Sequence, residues 1–248
     1  MRAAVLGKPV RHSLSPTLHA AAYAVLGLDW TYDAHEVDED GLAAFVEGLD
    51  EDWVGLSLTM PLKRAALPLC YALGAIAEEV GAVNTLVLDE HGAYGENTDV
   101  PGLINALAEV GVSRVPSAAV LGGGATAASA IAALAEVCSG EVLVYVRNPA
   151  RATDLPPLGE RLGVTVHLRP WADAGDAAGA PLVISTAPKG AADVLADGLP
   201  EAVGTLFDVV YDPWPTALAA AWAARGGQVL GGLDLLIHQA VLQVELMT

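Results

Sequence analysis

Gly122-Gly123-Gly124-Ala125-Thr126-Ala127 stands between an apolar run, Ala118–Leu121, and an alanine-rich stretch that continues to Val137. A short aliphatic run, a glycine turn and then helix formers make a strand–turn–helix unit, which commits its surroundings to an α/β design. Gly122 permits the tight turn and Gly124 lets a ligand approach the backbone. Ala127 replaces a third glycine and still allows close helix–strand packing. The helix that follows presents free N–H groups and a partial positive charge at its start. Gly122, Gly123, Gly124, Ala125 and Thr126 are therefore a candidate pyrophosphate cradle. Taken alone, the same residues also read as an ordinary glycine turn.

The next strand, Glu141–Val146, carries the discriminating signal. A site that selects NAD places Asp or Glu about 20 residues beyond the glycines, on the ribose 2′-hydroxyl. Here Val146 is followed by Arg147, Asn148 and Arg151, with no carboxylate in the turn. Two guanidiniums suit a 2′-phosphate through charge-assisted, bidentate bonds, so the expected cofactor is NADP. A solvated basic turn is the plainer alternative.

Helical and strand patterns alternate along the whole chain. Strands are expected at Arg2–Gly7, Thr31–Val37 and Val54–Thr59, and a hairpin at Asn84–Asp89 and Ala93–Glu96 around Glu90-His91-Gly92. Helices are expected at Ser15–Leu26, with Ser15 as N-cap and Pro16 in the first turn, at Gly41–Leu49, and at Ala65–Val80. A second series starts after Asp99: helices Pro101–Val110, Thr126–Val137, Thr216–Ala224 and Leu233–Met247, and strands Ala118–Leu121, Glu141–Val146, Val164–His167, Leu182–Ser185, Leu206–Val210 and Gln228–Leu230. The fold class is α/β, with two α/β domains on mostly parallel sheets. Residues 1–100, completed by a C-terminal helix at 232–248, form one domain and 101–231 the other.

A chain of 248 residues with 53% hydrophobic content is long enough for one large domain or two smaller ones and can bury a real core. Its net charge of −18 argues against nucleic acid or an acidic membrane surface as partner, since lysine and arginine supply that affinity. The expectations are a small-molecule ligand, no nucleic acid, no membrane, and a monomer or homodimer. The N-terminal run Met1–Gly7 is too short for a signal peptide, and no apolar run reaches membrane-spanning length. Cys70 and Cys138 lie far apart without a CxxC partner; they read as buried thiols of a reducing compartment rather than a disulfide, and no metal site is expected. The cytoplasm follows.

The only lysines are Lys8, Lys63 and Lys189. Lys63 follows the strand end Ser57-Leu58-Thr59 and the Pro61 turn, at the sheet edge where α/β folds expose ligand sites. Asp99 closes Gly95-Glu96-Asn97-Thr98-Asp99 at the domain boundary. A lysine can supply a proton and polarise an oxygen while an aspartate orients it. Ser13 and Ser15 bracket Leu14 near a helix start and make a carboxylate-binding corner without a full charge. Asn84 and Thr85 end Gly81-Ala82-Val83-Asn84-Thr85, where an amide can read hydroxyls. Gln239 sits on the final helix among Leu235, Leu236, Ala240 and Gln243, so a buried amide there needs a partner.

Together these segments resemble the shikimate dehydrogenase family over nearly the whole chain. His12-Ser13-Leu14-Ser15-Pro16 matches the family's substrate-carboxylate loop, Pro61-Leu62-Lys63 the segment with the catalytic lysine, and Asn97-Thr98-Asp99 that of its partner aspartate. Thr59, Asn84, Tyr211 in Val210-Tyr211-Asp212-Pro213, and Gln239 match further substrate-side positions, and Val209 and Gly232 cofactor-side ones. The resemblance implies a substrate domain and an NADP domain facing across a cleft. It implies NADPH-dependent, reversible reduction of 3-dehydroshikimate to shikimate, in the chorismate route to aromatic amino acids, with Lys63 protonating the developing alkoxide. The chain departs from the family pattern in four places: Ser57 stands where asparagine is common, Ala125 where glycine is, Val146-Arg147-Asn148 where Asn-Arg-Thr is usual, with Arg147 in register, and Leu235 where methionine is frequent. Alternatives are a paralogue oxidising quinate or aminoshikimate, and a catalytically silent ligand-binding protein on the same fold.

Overall fold

The computed structural model describes Met1–Thr248. It divides into two compact units, Met1–Asp99 with Ile237–Thr248, and Val100–Leu236. No helix is long and apolar enough to cross a membrane.

The first unit runs β1 (Arg2–Gly7), α1 (Ser15–Leu26), β2 (Thr31–Glu36), α2 (Glu39–Glu47), β3 (Trp53–Leu58), α3 (Leu62–Ala65), β4 (Cys70–Leu73), α4 (Ala75–Val80), β5 (Thr85–Asp89) and β6 (Gly92–Glu96). The strands form one sheet in the order β2-β1-β3-β5-β6-β4. The expectation of a mostly parallel sheet is only partly met. The β5–β6 hairpin lies in the middle, so β5 runs antiparallel to both β3 and β6. Gly92 takes the hairpin's positive-φ position, at +120°. On one face of the sheet Leu6, Leu42, Leu56, Leu62 and Leu86 form a core with no exposed surface or nearly none. On the other, Tyr23 and Tyr32 pack with Val244 and Met247 from the C-terminal helix.

The helix expected over Ala65–Val80 does not form as one piece. Pro68 sits in a 3-10 turn, Leu67–Leu69, and cannot supply the N–H that a continuing helix needs. The chain then pairs Cys70 with Ala93 and Leu73 with Gly95 along the free edge of β6. Gly74 turns it into α4 where a Cβ would strike the Glu96 carboxyl group. An unpaired sheet edge overrides the helix propensity of alanine and leucine here. Ser15 is not the N-cap either. Leu14 occupies that position without a side-chain bond, Ser15 is the first helical residue, and the Ser13 hydroxyl accepts the Ser15 N–H at 3.2 Å.

The second unit continues from α5 (Asp99–Glu109) through β7 (Ala118–Leu121), α6 (Ala125–Val137), β8 (Glu141–Val146), α7 (Leu155–Leu162), β9 (Thr165–Pro170), β10 (Leu182–Ser185), β11 (Thr205–Asp208), α8 (Ala217–Ala224) and β12 (Gln228–Leu230) to the start of α9 (Gly232–Met247). All six strands are parallel, in the order β12-β11-β10-β7-β8-β9. Nine of the thirteen residues of α6 are buried, so its alanines serve close packing as well as propensity. Helix α7 lies outside the sequence expectation; Pro156 and Pro157 occupy its first turn, where the missing N–H costs nothing. The division falls within α9 at Leu236/Ile237 rather than before residue 232. The start of α9 is tied to the strand-end loop by the Gly232 N–H, which donates to Val210 O at 3.2 Å.

Candidate active site

One edge of the first sheet collects the chemistry. Parallel strands β1 and β3 end there, and the antiparallel β5 begins there, with Thr85 opposite Ser57 and Glu96. The segments after β1, after β3, before β5 and after β6 therefore converge, although they are distant in sequence. They carry Ser13 and Ser15, Thr59 and Lys63, Asn84, and Asp99. Gly7 permits the close approach of β1 to Thr59, whose Cγ2 fills the place a Cβ would take.

At this edge the Lys63 Nζ lies 2.5 Å from Asp99 Oδ2, and their side chains are only 12% and 5% exposed. The ion pairs Lys8–Asp38 and Arg2–Asp50 are far more open to solvent. A desolvated ion pair is a poor stabiliser because desolvation offsets the attraction. Its presence at a strand edge therefore points to chemistry. The other oxygen of Asp99 accepts the Asn84 amide at 2.9 Å. Asn84 also donates to Thr98 Oγ1 at 2.9 Å and to Gln239 Oε1 at 3.3 Å, and it accepts the Thr98 N–H at 2.8 Å.

Lys63, Asp99, Asn84 and Gln239, singled out separately in the sequence, thus form one hydrogen-bonded cluster. Ser15, 3% exposed, stands at the head of α1, and Thr59 leads into the turn before Lys63. Tyr211 and Val209 belong to the other unit, on the partly exposed loop after β11. Sequence reasoning gave no role to Tyr32 or Gln243, which join Ser57 and Thr85 in a buried run of hydrogen bonds leading to the cluster. Gln243 had a legible signal, being one helical turn beyond Gln239 on the same face. Buried Asp208 was missed as well. Its carboxylate accepts the Thr216 hydroxyl at 2.7 Å, and burial raises its pKa.

In the second unit the glycine segment forms the turn between β7 and α6. Gly122 has φ of +116°, and a Cβ there would lie 2.5 Å from Thr186 Oγ1. A Cβ on Gly123 would meet Val146 Cγ1 at 2.7 Å. Gly124, by contrast, faces open space, and as N-cap of α6 it leaves the first-turn N–H groups without a side-chain acceptor. Ala125 and Thr126 open that helix. The combination fits a diphosphate: backbone donors stand free where a side chain would otherwise fill the space. Arg147 and Arg151 are exposed beyond β8. Neither makes an ion pair, so both are available to an anion. Asn148 spends its side-chain oxygen on the Ala150 N–H at 3.1 Å, shaping the turn.

Residues 5–86 match the family model described as the shikimate dehydrogenase substrate binding domain. A shikimate dehydrogenase (NADP(+)) of Moorella thermoacetica is 36% identical over 99% of this chain and 87% of the relative. The crystal structure of Mycobacterium tuberculosis shikimate dehydrogenase is 42% identical, with a TM-score of 0.91 over 100% of this chain and 93% of that one. Shikimate 5-dehydrogenase from Thermus thermophilus, solved in complex with NADP(H) and shikimate, is 34% identical with a TM-score of 0.86, covering 100% and 93%. Identity at this level along both units makes this chain a member of the shikimate dehydrogenase family.

Proposed function

We propose that this chain catalyses the NADP-dependent interconversion of shikimate and 3-dehydroshikimate. Met1–Asp99 with the C-terminal helix would hold the substrate, and the second unit the cofactor. The observation that carries this reading is the largely buried Lys63–Asp99 pair, fixed by Asn84 at the edge of the first sheet. When bound, NADPH supplies the hydride that reduces the ring carbonyl. Lys63, as the ammonium, then gives its Nζ proton to the oxygen where negative charge develops, and recovers it in the reverse direction. Asp99 keeps the lysine aimed. Ser13 and Ser15 hold the substrate carboxylate at the start of α1, and Thr59, Asn84, Gln239 and Tyr211 take the ring hydroxyls. The Gly122–Thr126 segment receives the pyrophosphate, and Arg147, Asn148 and Arg151 read the 2′-phosphate, with Val209 and Gly232 on the nicotinamide side. Two free thiols suit a reducing compartment such as the cytoplasm.

Absorbance at the nicotinamide band, with shikimate or quinate and NADP or NAD, tests this reading. Shikimate with NADP should be the fastest pair, and Lys63→Ala should lower kcat about 10²–10⁴-fold, the usual worth of a general acid–base group. Faster turnover of quinate would move the chain to the paralogue reading. No turnover with any pair, together with retained binding, would make it a silent ligand-binding protein.

A further inference from the structure

The Lys63–Asp99 pair rests on a hydrogen-bond chain that runs in one direction. The Tyr32 hydroxyl donates to Ser57 Oγ at 2.5 Å, and Ser57 donates to Gln243 Oε1 at 2.8 Å. Gln243 Nε2 donates to Thr85 Oγ1 at 2.9 Å, and Thr85 donates to Asn84 Oδ1 at 2.9 Å. Asn84 Nδ2 completes the chain by donating to Asp99 Oδ1 at 2.9 Å. Every member is at most 7% exposed, so water cannot replace a lost link.

The direction is imposed by backbone groups. Gln243 Nε2 also faces the Asn84 carbonyl at 3.3 Å, which only accepts, so its Oε1 must turn toward Ser57. Ser57 must then donate to Gln243 and can receive the tyrosine proton. At the far end the Thr98 N–H, which only donates, pins Asn84 Oδ1 and turns Nδ2 toward the carboxylate. Aligned hydrogen bonds polarise one another, so the donor reaching Asp99 is stronger than an isolated amide.

We propose that Tyr32, Ser57, Thr85 and Gln243 are positioning residues: they set the polarity of the Asn84 amide and thereby hold Asp99 as a fixed acceptor for Lys63. The proposal rests on the acid–base reading of Lys63 and Asp99. On this account Ser57 serves the enzyme by bonding to protein, its hydroxyl being engaged by Tyr32 and Gln243.

The test measures kcat, KM for shikimate and melting temperature in Tyr32→Phe, Gln243→Glu and the double variant. Tyr71→Phe serves as control, since it loses an equivalent hydroxyl bond to Asp89 on the exposed hairpin. Gln243→Glu keeps the shape but presents Thr85 with an acceptor, turning its proton away from Asn84. It should lower kcat about tenfold, and Tyr32→Phe about threefold, the range of one or two neutral hydrogen bonds. KM should rise less than kcat falls. The double variant should match Gln243→Glu alone, because a chain already broken has nothing to pass on. Losses that multiply would overturn the proposal, as would folded variants with lowered melting temperature and intact kcat. Should Gln243→Glu fail to fold, Tyr32→Phe decides: unchanged kcat refutes the chain. Lys63→Ala run alongside separates the two ideas, since full activity in that variant would sink the acid–base reading itself.

Discussion

His19 shows what the floor of this site demands of a single residue. Its side chain has no exposed surface, and its ring stacks on Tyr32 with centroids 3.9 Å apart. Nδ1 meets the Tyr23 hydroxyl at 3.4 Å, and Nε2 has no hydrogen bond of good geometry. Burial lowers the pKa to about 4, against a smaller opposing pull from Gln243. Its titratable neighbours stay neutral: burial pushes Tyr23 up to about 12 and raises Tyr32 as well. A histidine whose folded pKa lies below its unfolded value stabilises above the unfolded value, near 6.5, and loses that contribution as pH falls toward 4. The loss amounts to about 3 kcal/mol over that window, at about 1.4 kcal/mol per unit. His19→Phe keeps a stacking ring and removes the titration. Its urea midpoint should therefore fall less between about pH 7 and about pH 4.5 than that of the parent. An unchanged pH dependence would mean that other groups control acid stability.

At the scale of elements, the turn after β8 is where the proposed reading places the cofactor preference. The strand ends in buried Val146, which packs beneath Gly123, so the residues that follow emerge beside the glycine turn. Arg147 and Arg151 are exposed and free of carboxylate partners in a chain of net charge −18. Arg147→Ala with Arg151→Ala should raise the KM for NADP by about tenfold or more, since charge-assisted bonds are worth about 1.5–3 kcal/mol each. The KM for NAD should hardly move. Equal weakening of both cofactors would show that the arginines do not read a 2′-phosphate. The β7–α6–β8 unit that presents this turn was legible in the sequence because it depends on residues close together in the chain. The β5–β6 hairpin was legible for the same reason, its turn residues being local. Strand β4 was not, because it forms only where β6 offers an edge, and that edge comes later in the chain. Lys63 and Asp99 stood out by residue type and position. Gln243 offered only its spacing from Gln239, because its partners Ser57 and Thr85 are brought to it by the fold.

At the scale of the whole molecule, the chain returns to its first unit only at the end. The segment Ile237–Thr248 completes a unit otherwise built from Met1–Asp99. It supplies Val244 and Met247 to the core around Tyr23 and Tyr32, and Gln239 and Gln243 to the buried polar cluster. Removing it exposes two apolar side chains' worth of core, about 1.5–3 kcal/mol each. It also leaves Asn84, Thr85 and Ser57 short of partners, at about 1–3 kcal/mol for each orphaned group. The sum is comparable with the whole stability of a domain, about 5–15 kcal/mol. The second unit loses nothing of its six-stranded sheet, since Val100–Leu236 is continuous and contains every strand of it. A chain ending at Leu236 should therefore keep a folded second unit and a largely unfolded first one. Calorimetric titration should find NADP binding retained, shikimate binding absent, and amide exchange fast over Met1–Asp99 but slow in β7, β8 and β10. Loss of NADP binding together with uniform fast exchange would mean that the two units fold only as one cooperative body.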